Sequence, residues 1–299
     1  MDEKDELARR FDAHRAHLRA VAYRMPGSLG DADDADDAVQ EAWFKLNRTD
    51  VGAVENLGGW LTTAVGRVCL DMLRSRTARR EESPDAADLP FRMPDPVVGL
   101  PGRVDPEQEA LLADSVGIAL MVVLESLAPA ERLALVLHDM FAVPFEEIAP
   151  LVEKSSAATR QPASRARRRV RDAAPAPDTD PVRVRRAVDA SLSAARDGDL
   201  EALVAVLDPE ITARSDGGTR RPGALLRGAR RVASQAIAFA RFAQDGRAVL
   251  VNGGPGVLAL GADGRPVSLM AFTVRGGLIT TLDILTDPDR LAGIRLDGA

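Results

Sequence analysis

Apolar positions recur at helical spacing through the first half of the chain and give way to alternation near the end. Phe11, Leu18, Val21 and Ala22 predict a first helix, with a break at Pro26–Gly30. Ala35, Ala38, Val39, Ala42, Trp43 and Leu46 share one face of a helix over Asp33–Leu46. A third helix opens near Asn56, its apolar side made by Trp60, Leu61, Ala64, Val65, Val68, Cys69, Met72 and Leu73. Further helices are expected over Glu109–Leu127, Pro129–Met140, Phe145–Val152 and Ser156–Arg171, and Pro129 suits a first helical turn. Only Glu153–Ser155 separates the last two, which is helix-turn-helix spacing and also the spacing of an ordinary bundle.

Beyond Pro181 the periodicity changes. Helices over Arg183–Arg196 and Leu200–Leu207 lead into strand-like runs at Ile211–Ser215, Ala248–Val251, Val257–Leu260, Val267–Val274 and Leu278–Leu285. A helix over Pro222–Phe242 is expected between the first two runs. Turns at Asp216–Gly218, Gly253–Gly256, Asp263–Gly264 and Gly276–Gly277 punctuate them. Helices followed by an antiparallel sheet indicate an α+β domain.

Proline at 84, 90, 94, 96, 101 and 106 blocks regular structure and marks a linker over 81–106. That stretch carries Leu89, Phe91, Met93, Val97, Val98 and Leu100, which invites docking on a domain. A second Pro/Ala/Asp linker covers 173–181. The expected organisation is therefore 1–80, linker, 107–172, linker, and 182–299.

Charge changes the picture more than composition does. The net charge is -6, yet Ser155–Val170 holds Arg160, Arg165, Arg167, Arg168 and Arg169 and no acid. A basic helix on an acidic protein suggests DNA phosphate as a local partner. The alternative is a solvated amphipathic helix. Residues 1–175 carry 23 basic and 30 acidic side chains, against 16 and 15 in 176–299, so the acids that rule out a nonspecific DNA coat lie in the first part. A single cysteine, Cys69, excludes an internal disulfide and a thiolate metal cluster. The charged N-terminus lacks the apolar core of a signal peptide, and no apolar run reaches membrane-spanning length, so a cytoplasmic protein with no membrane partner is expected.

Four groups of residues could carry chemistry. Asp33, Asp37 and Glu41 stack four apart on one helix face, within a run that also holds Asp34 and Asp36. Like charges at that spacing oppose an isolated helix. They read as a surface for a basic partner, a plain solvated face, or a metal or acid/base site. Arg74, Arg76, Arg79 and Arg80 extend the Cys69 helix and suit either phosphate or the helix dipole. In Ser156–Arg171, Ala163, Ala166 and Val170 share the packing face, while Arg160, Ser164, Arg167, Arg168 and Arg171 lie opposite. Ser155 or Ser156 can cap it, and its first turn, Ser156 to Thr159, would approach base edges with Arg160 as the leading reader. Pro162 sits inside this helix, which would then begin later, bend, or bind DNA less tightly. In the last domain Arg214, Asp216, Arg220, Asp245 and Asp283 could serve an acid/base reaction, but His14, His17 and His138 all precede it, and turn formation explains Asp216 and Asp245.

Taken together, the chain resembles the extracytoplasmic-function sigma factors. Residues 8–80 resemble sigma region two, through DDADDAVQEAWFKL at 33–46 and ENLGGWLTTAVGRVCLDMLRSR at 55–76. Residues 118–171 resemble region four, through LAPAERLALVLHDMFAVPFEEIA at 127–149 and SAATRQPASRARRRV at 156–170. The last part is similar to the SnoaL-like extension of the SigJ-like subgroup, through RSDGGTR at 214–220, NGGPGVLAL at 252–260 and the end from PVSLMAFTV to TDPDRL at 266–291.

The resemblance implies a multidomain fold: two all-α sigma domains, the second with a helix-turn-helix, followed by an α+β NTF2/SnoaL-like cone. It implies that Asp33, Asp34, Asp37, Gln40 and Glu41 bind core RNA polymerase. Arg74 and Arg76 would meet the minus-10 promoter element. Ser156, Thr159, Arg160, Ser164, Arg167, Arg168 and Arg171 would meet the minus-35 element. The extension would regulate in cis through intramolecular contacts at Asp216, Gly217 and Gly218, although Thr219 stands where the family has a further glycine. No catalytic residue, cofactor or metal is expected, and a small-molecule signal is not identified. The rival readings are a ligand-sensing DNA-binding regulator independent of polymerase and a SnoaL-like enzyme.

Overall fold

The computed structural model describes residues 3–25, 32–49, 56–81, 91–101, 117–173, 177–218, 221–241 and 245–294. The expected break at Pro26–Gly30, most of the first linker and the start of the expected Glu109–Leu127 helix lie outside these residues. The described residues form two compact units, 3–81 with 120–173, and 91–101 with 117–119 and 177–294. No described helix is long and apolar enough to cross a membrane.

The first unit is all helical. Helices α1 (Glu3–Arg24), α2 (Ala32–Leu46) and α3 (Leu57–Glu81) bury the stripes that their periodicity marks. Phe11, Leu18, Val21, Ala22, Ala38, Val39, Ala42, Leu46, Leu61, Val65 and Cys69 are all buried. Each fully buried Leu or Val contributes about 1.5–3 kcal/mol of transfer free energy. Trp43 packs its ring on Phe11 at 4.9 Å between centroids. Asn56 starts α3 by accepting the Gly59 N–H at 3.0 Å.

Helix α4 (Ile118–Glu125) precedes α5 (Pro129–Leu135), and Pro129 occupies the first turn of α5. Val136–Met140 then widens into a π-type turn, so the expected Pro129–Met140 helix is regular only in its first part. The expected Phe145–Val152 helix is shorter still: α6 covers Phe145–Ile148, and Pro150 follows at once. A turn leads through Glu153, at φ 56°, to α7 (Ser156–Ala173).

The second unit packs helices and a strap on the two faces of one sheet. Helices α8 (Pro181–Asp197) and α9 (Leu200–Ala205) are capped by Asp180 and Asp199. Seven strands follow the order β1-β4-β5-β6-β7-β2-β3, all neighbours antiparallel except β2 and β7. They are β1 (Val98–Gly99), β2 (Leu207–Gly217), β3 (Arg221–Arg227), β4 (Asp245–Val251), β5 (Gly254–Leu260), β6 (Pro266–Arg275) and β7 (Leu278–Leu285). Helices α10 (Ala229–Ala240) and α11 (Pro288–Ala292) complete the unit.

Alternation along β6 shows why both faces are covered. Phe272 and Val274 join Val188, Leu203 and Val232 in the core under the helices, whereas Leu269 and Ala271 join Met93, Val98, Ile118 and Leu291 on the other face. The expected Pro222–Phe242 helix is corrected here. Its first part is edge strand β3, paired with β2 from Arg221↔Gly217 to Arg227↔Thr212. Pro222 is tolerated because an edge strand leaves one row of donors unpaired, and Gly228 at φ 91° turns the chain into α10.

Candidate nucleic-acid interface and the strap on the sheet

Helix α2 presents a mixed face to solvent. Asp37, Gln40 and Glu41 are exposed, and Phe44, one turn further on, is 45% exposed. Asp34 is half-buried, and the side chain of Asp33 lies outside the description. Asp36 pairs inward with Arg19 at 2.8 Å. The acids therefore divide: Asp36 ties α2 to α1, while Asp37 and Glu41 face outward beside an exposed aromatic. On α3, Trp60 is half-buried, and Arg74 lies 3.5 Å from Glu153 in the turn before α7. The Arg76 side chain is outside the description.

Helix α7 is held by its small inner face. Ala163 and Ala166 have no exposure, which lets α5 and α6 approach closely. Ser155 caps it by accepting the Ala158 N–H at 3.2 Å. The helix begins at Ser156 and runs on through Pro162, which is buried and leaves the Ala158 carbonyl without its helical donor. Thr159 corrects the expected first-turn reading. It has no exposure, and its hydroxyl donates to the Ser155 carbonyl at 2.9 Å, so it cannot reach a base edge.

The arginines of α7 separate by their partners. Arg165 and Arg169 both pair with Glu131, at 2.9 and 3.3 Å. Burial works against ionisation of Glu131, but the hydrogen bonds from Arg165 and the Ala128 backbone and the charges of Arg165 and Arg169 outweigh it and hold its carboxyl below the usual range. Arg167 makes a two-pronged contact with Asp139, 2.6 Å on each prong, which raises its own pKa. Its side chain, 41% exposed, also staples α7 to the π-type turn. Arg160 is 61% exposed, with Glu146 at 3.6 Å and its guanidinium over the Phe145 ring. Half-buried Ser156 and exposed Arg160, Ser164, Arg168 and Arg171 make one stripe along the helix.

In the second unit, residues 91–98 form a strap across the sheet. Asp216 is 3% exposed and accepts from the Met93 N–H at 2.8 Å, the Gly218 N–H at 2.9 Å and Arg290 Nη1 at 2.6 Å. Arg290 also donates from Nε to Asp95 at 2.7 Å and from Nη2 to the Met93 carbonyl at 2.7 Å. Asn252 brackets Val97, accepting its N–H at 3.0 Å and donating to its carbonyl at 2.8 Å. Gly217 is buried at the end of β2. Gly218, at φ 67°, is required twice over, because a Cβ there would run into the Asp287 carboxylate, which caps α11 and so places Arg290. Gly223 lets the strap approach: a Cβ there would lie 2.9 Å from the Phe91 carbonyl.

Phe91 stacks over Arg214, which holds Asp283 in a two-pronged pair at 2.6 and 3.0 Å. Burial pushes the Asp283 carboxyl up, against the opposing charge of Arg214. Of the three carboxylates considered for acid/base work, Asp216 and Asp283 are committed to ion pairs with Arg290 and Arg214, and Asp245 is exposed at the start of β4. Thr219 and Arg220 lie outside the described residues.

Residues 10–79 match the family model for sigma-70 region 2. The whole chain is similar to two curated proteins of Mycobacterium tuberculosis. It is 34% identical to "Probable ECF RNA polymerase sigma factor SigI", with 99% of each chain covered. It is 37% identical to "ECF RNA polymerase sigma factor SigJ", with 95% of this chain and 92% of that one covered. The chain belongs to the extracytoplasmic-function sigma factors. The crystal structure of Mycobacterium tuberculosis SigJ superposes on this sigma factor with a TM-score of 0.77 at 34% identity, covering 97% of this chain and all of that one. The architecture is accordingly that of the SigJ structure, all-α sigma domains followed by a sheet-containing C-terminal domain.

Sequence reasoning overlooked Phe44, Asn252 and Arg290 as site residues of this sigma factor. Phe44 was detectable, since it falls off the Ala35–Leu46 stripe and seven residues after Asp37. Arg290 stands in the TDPDRL segment, but only the fold brings it to Asp216 and Asp95. Asn252 reads in sequence as an ordinary hairpin residue before glycine.

Proposed function

We propose that this sigma factor binds core RNA polymerase through the outer face of α2 and directs promoter-specific initiation, with DNA contacts from α3 and α7. Asp37, Gln40 and Glu41 supply charge and hydrogen bonding on that face, and Phe44 supplies an apolar anchor of the kind that dominates interface energetics. Arg74 and Arg76 contact the minus-10 element. Ser156, Arg160, Ser164, Arg168 and Arg171 face the minus-35 element, with Arg160 nearest the base edges and Arg168 and Arg171 on phosphate. The polymerase performs the nucleotide chemistry, so the factor itself needs no active site.

The observation that carries this reading is the division of charge on α7. Arg165, Arg167 and Arg169 are paired with Glu131 and Asp139 across the helix-turn-helix, while Arg160, held only loosely by Glu146 at 3.6 Å, forms one exposed stripe with Arg168, Arg171 and the serines. A merely solvated helix has no need of that sorting. The C-terminal domain acts in cis, by holding residues 91–98 through Asp216 and Arg290 and so setting the length of chain free to join the two sigma domains. The test is transcription from a cognate promoter with purified core polymerase. Initiation that depends on this chain supports the reading. Specific duplex binding without any effect on polymerase favours the independent regulator instead.

A further inference from the structure

Arg160 is held differently from the other paired arginines of α7. Arg165, Arg167 and Arg169 donate hydrogen bonds to Glu131 and Asp139 at 2.6–3.3 Å. Glu146 Oε1 instead lies 3.6 Å from Arg160 Nη2, beyond hydrogen-bonding reach, and the two side chains are 61% and 66% exposed. This contact supplies charge and leaves the Nη2 N–H groups to donate elsewhere. The guanidinium also lies over the Phe145 ring, 5.8 Å from its centroid, within range of the attraction between a cation and an aromatic face. That ring is itself fixed. Phe145 is buried and stacks on His138 at 3.8 Å between centroids. His138 Nδ1 donates to the Val143 carbonyl at 2.9 Å, and the Val143 N–H donates to the Leu137 carbonyl at 2.9 Å. Ala142, at φ 54°, stands in the turn between them. Two successive residues at the start of α6 thus act on Arg160, Phe145 through a ring face and Glu146 through charge.

Phosphate and a base edge make different demands on an arginine. A phosphate is attracted by charge and accepts donors over a wide range of angles, and it carries no sequence information. Guanine presents O6 and N7, two uncharged acceptors in one plane, to a forked donor. A guanidinium already confined by a ring has less freedom to lose when it meets that edge. A carboxylate beside the guanidinium repels an incoming phosphate as one charge repels another, and acts far more weakly on an uncharged base. Arg168 and Arg171 show the contrast. They are exposed on the same helix, and no acid pairs with them among the described residues.

We propose that Phe145 and Glu146 are positioning residues that reserve Arg160 for a guanine edge in the promoter and keep it off phosphate. The inference rests on the proposed function, in which Arg160 faces the minus-35 element. Phe145 limits where the fork can point, and Glu146 penalises the sequence-independent contact that would compete with base reading. Specificity is a difference between two affinities, and Glu146 widens it by weakening the wrong one.

The full chain with core polymerase is titrated against promoters varied one base pair at a time, at several salt concentrations. Arg160→Ala first marks the base pair that Arg160 reads, as the position where discrimination is lost. At that position Glu146→Gln should reduce discrimination by about fivefold or more. The same variant should bind all promoters more tightly at low salt and steepen the salt slope by about 0.9, the mark of one further phosphate contact. Phe145→Leu keeps an apolar side chain without the ring, and should reduce discrimination at that position with the salt slope unchanged. Phe145→Tyr keeps the ring and should retain discrimination. In an Arg160→Ala background Glu146→Gln should change neither quantity, because it acts through the guanidinium. Glu146 is exposed, so its replacement decides the matter even where loss of the Phe145 ring unsettles the fold. Natural discrimination and salt slope in Glu146→Gln overturn this inference alone, as does an equal effect of that substitution in the Arg160→Ala background. An Arg160→Ala protein that discriminates like the natural chain at every position overturns the place of Arg160 in the functional reading, and the inference with it.

Discussion

Replacing Arg290 with alanine should release the strap while leaving the sheet folded. The guanidinium makes three donations, to Asp216, to Asp95 and to the Met93 carbonyl. Its removal leaves Asp216, at 3% exposure, with only the Met93 and Gly218 amides among the described residues to stabilise its charge. Removing one partner of a buried ion pair costs about 3–5 kcal/mol. Because the side chain of Arg290 is 13% exposed rather than fully enclosed, the lower end applies. About 3 kcal/mol corresponds to roughly a hundredfold increase in strap opening, at ~1.4 kcal/mol per factor of ten. Native-state hydrogen exchange reads this directly, since the Met93 and Val97 amides donate to Asp216 and Asn252. Both should lose about two orders of magnitude of protection, whereas amides in the β5–β6 ladder keep theirs. Arg290→Lys retains the charge without the fork and should fall between. Unchanged exchange at Met93 and Val97 in a folded Arg290→Ala protein would refute the assignment of Arg290 as the latch.

Other outcomes follow from the same geometry. Arg168→Ala should weaken promoter binding evenly across sequences and reduce the salt slope by about 1, whereas Arg160→Ala should relax discrimination by about 1–3 kcal/mol at one base position; both are read by titration against promoter variants at several salt concentrations. Thr159→Val should leave promoter preference unchanged, because the hydroxyl serves only the Ser155 carbonyl; a shift in preferred sequence would contradict its burial. Phe44→Ala should cost at least 1 kcal/mol of core-polymerase affinity if Phe44 is an anchor, measured by competition binding with the full chain. His17 is held below the usual imidazole pKa by burial first, then by the charges of His14 and Arg24. Its unfolded form therefore binds more protons in mild acid, so the stabilisation it carries is complete above the ordinary histidine pKa and is lost as the pH falls toward the lower folded value. Thermal midpoints between pH 7 and 5 should decline less steeply in His17→Gln than in the natural chain.

The helices of the first unit were legible because each buries a stripe with the period of its own backbone. Ala35, Ala38, Val39, Ala42 and Leu46 are all buried, as their spacing requires. The segment 221–227 was misread because its local composition suits a helix as well as a strand, and only pairing with β2 decides. The outer stripe of α7 was partly legible. Helical geometry separates Arg160 and Arg168 from Ala163 and Ala166, but it cannot show that Arg167 reaches Asp139 across 28 positions. Thr159 was misplaced for the same reason, since capping at Ser155 draws its side chain inward. The strap was the least legible feature. Proline density does report a segment without helix, but its partners Asp216, Asn252 and Arg290 lie more than 100 residues away.

Those long-range partners bear on how regulation by the C-terminal domain should be tested. A chain cut at Asp172 removes the sheet on which residues 91–98 rest, and with it the cover of Met93 and Val98, which are 0% and 6% exposed in the intact protein. Such a chain differs from the natural one in two respects: it lacks the domain, and it carries a newly exposed apolar linker. Loss of activity after truncation would then report aggregation as readily as regulation. Arg290→Ala and Asp216→Asn separate the two, because they loosen the strap while the rest of the domain remains to shield its own core. If the domain regulates by holding the strap, these variants should change promoter output in the same direction as each other, and adding Arg290→Ala to Asp216→Asn should change it little further, since both act on one contact. Additive effects would place the regulation elsewhere in the domain.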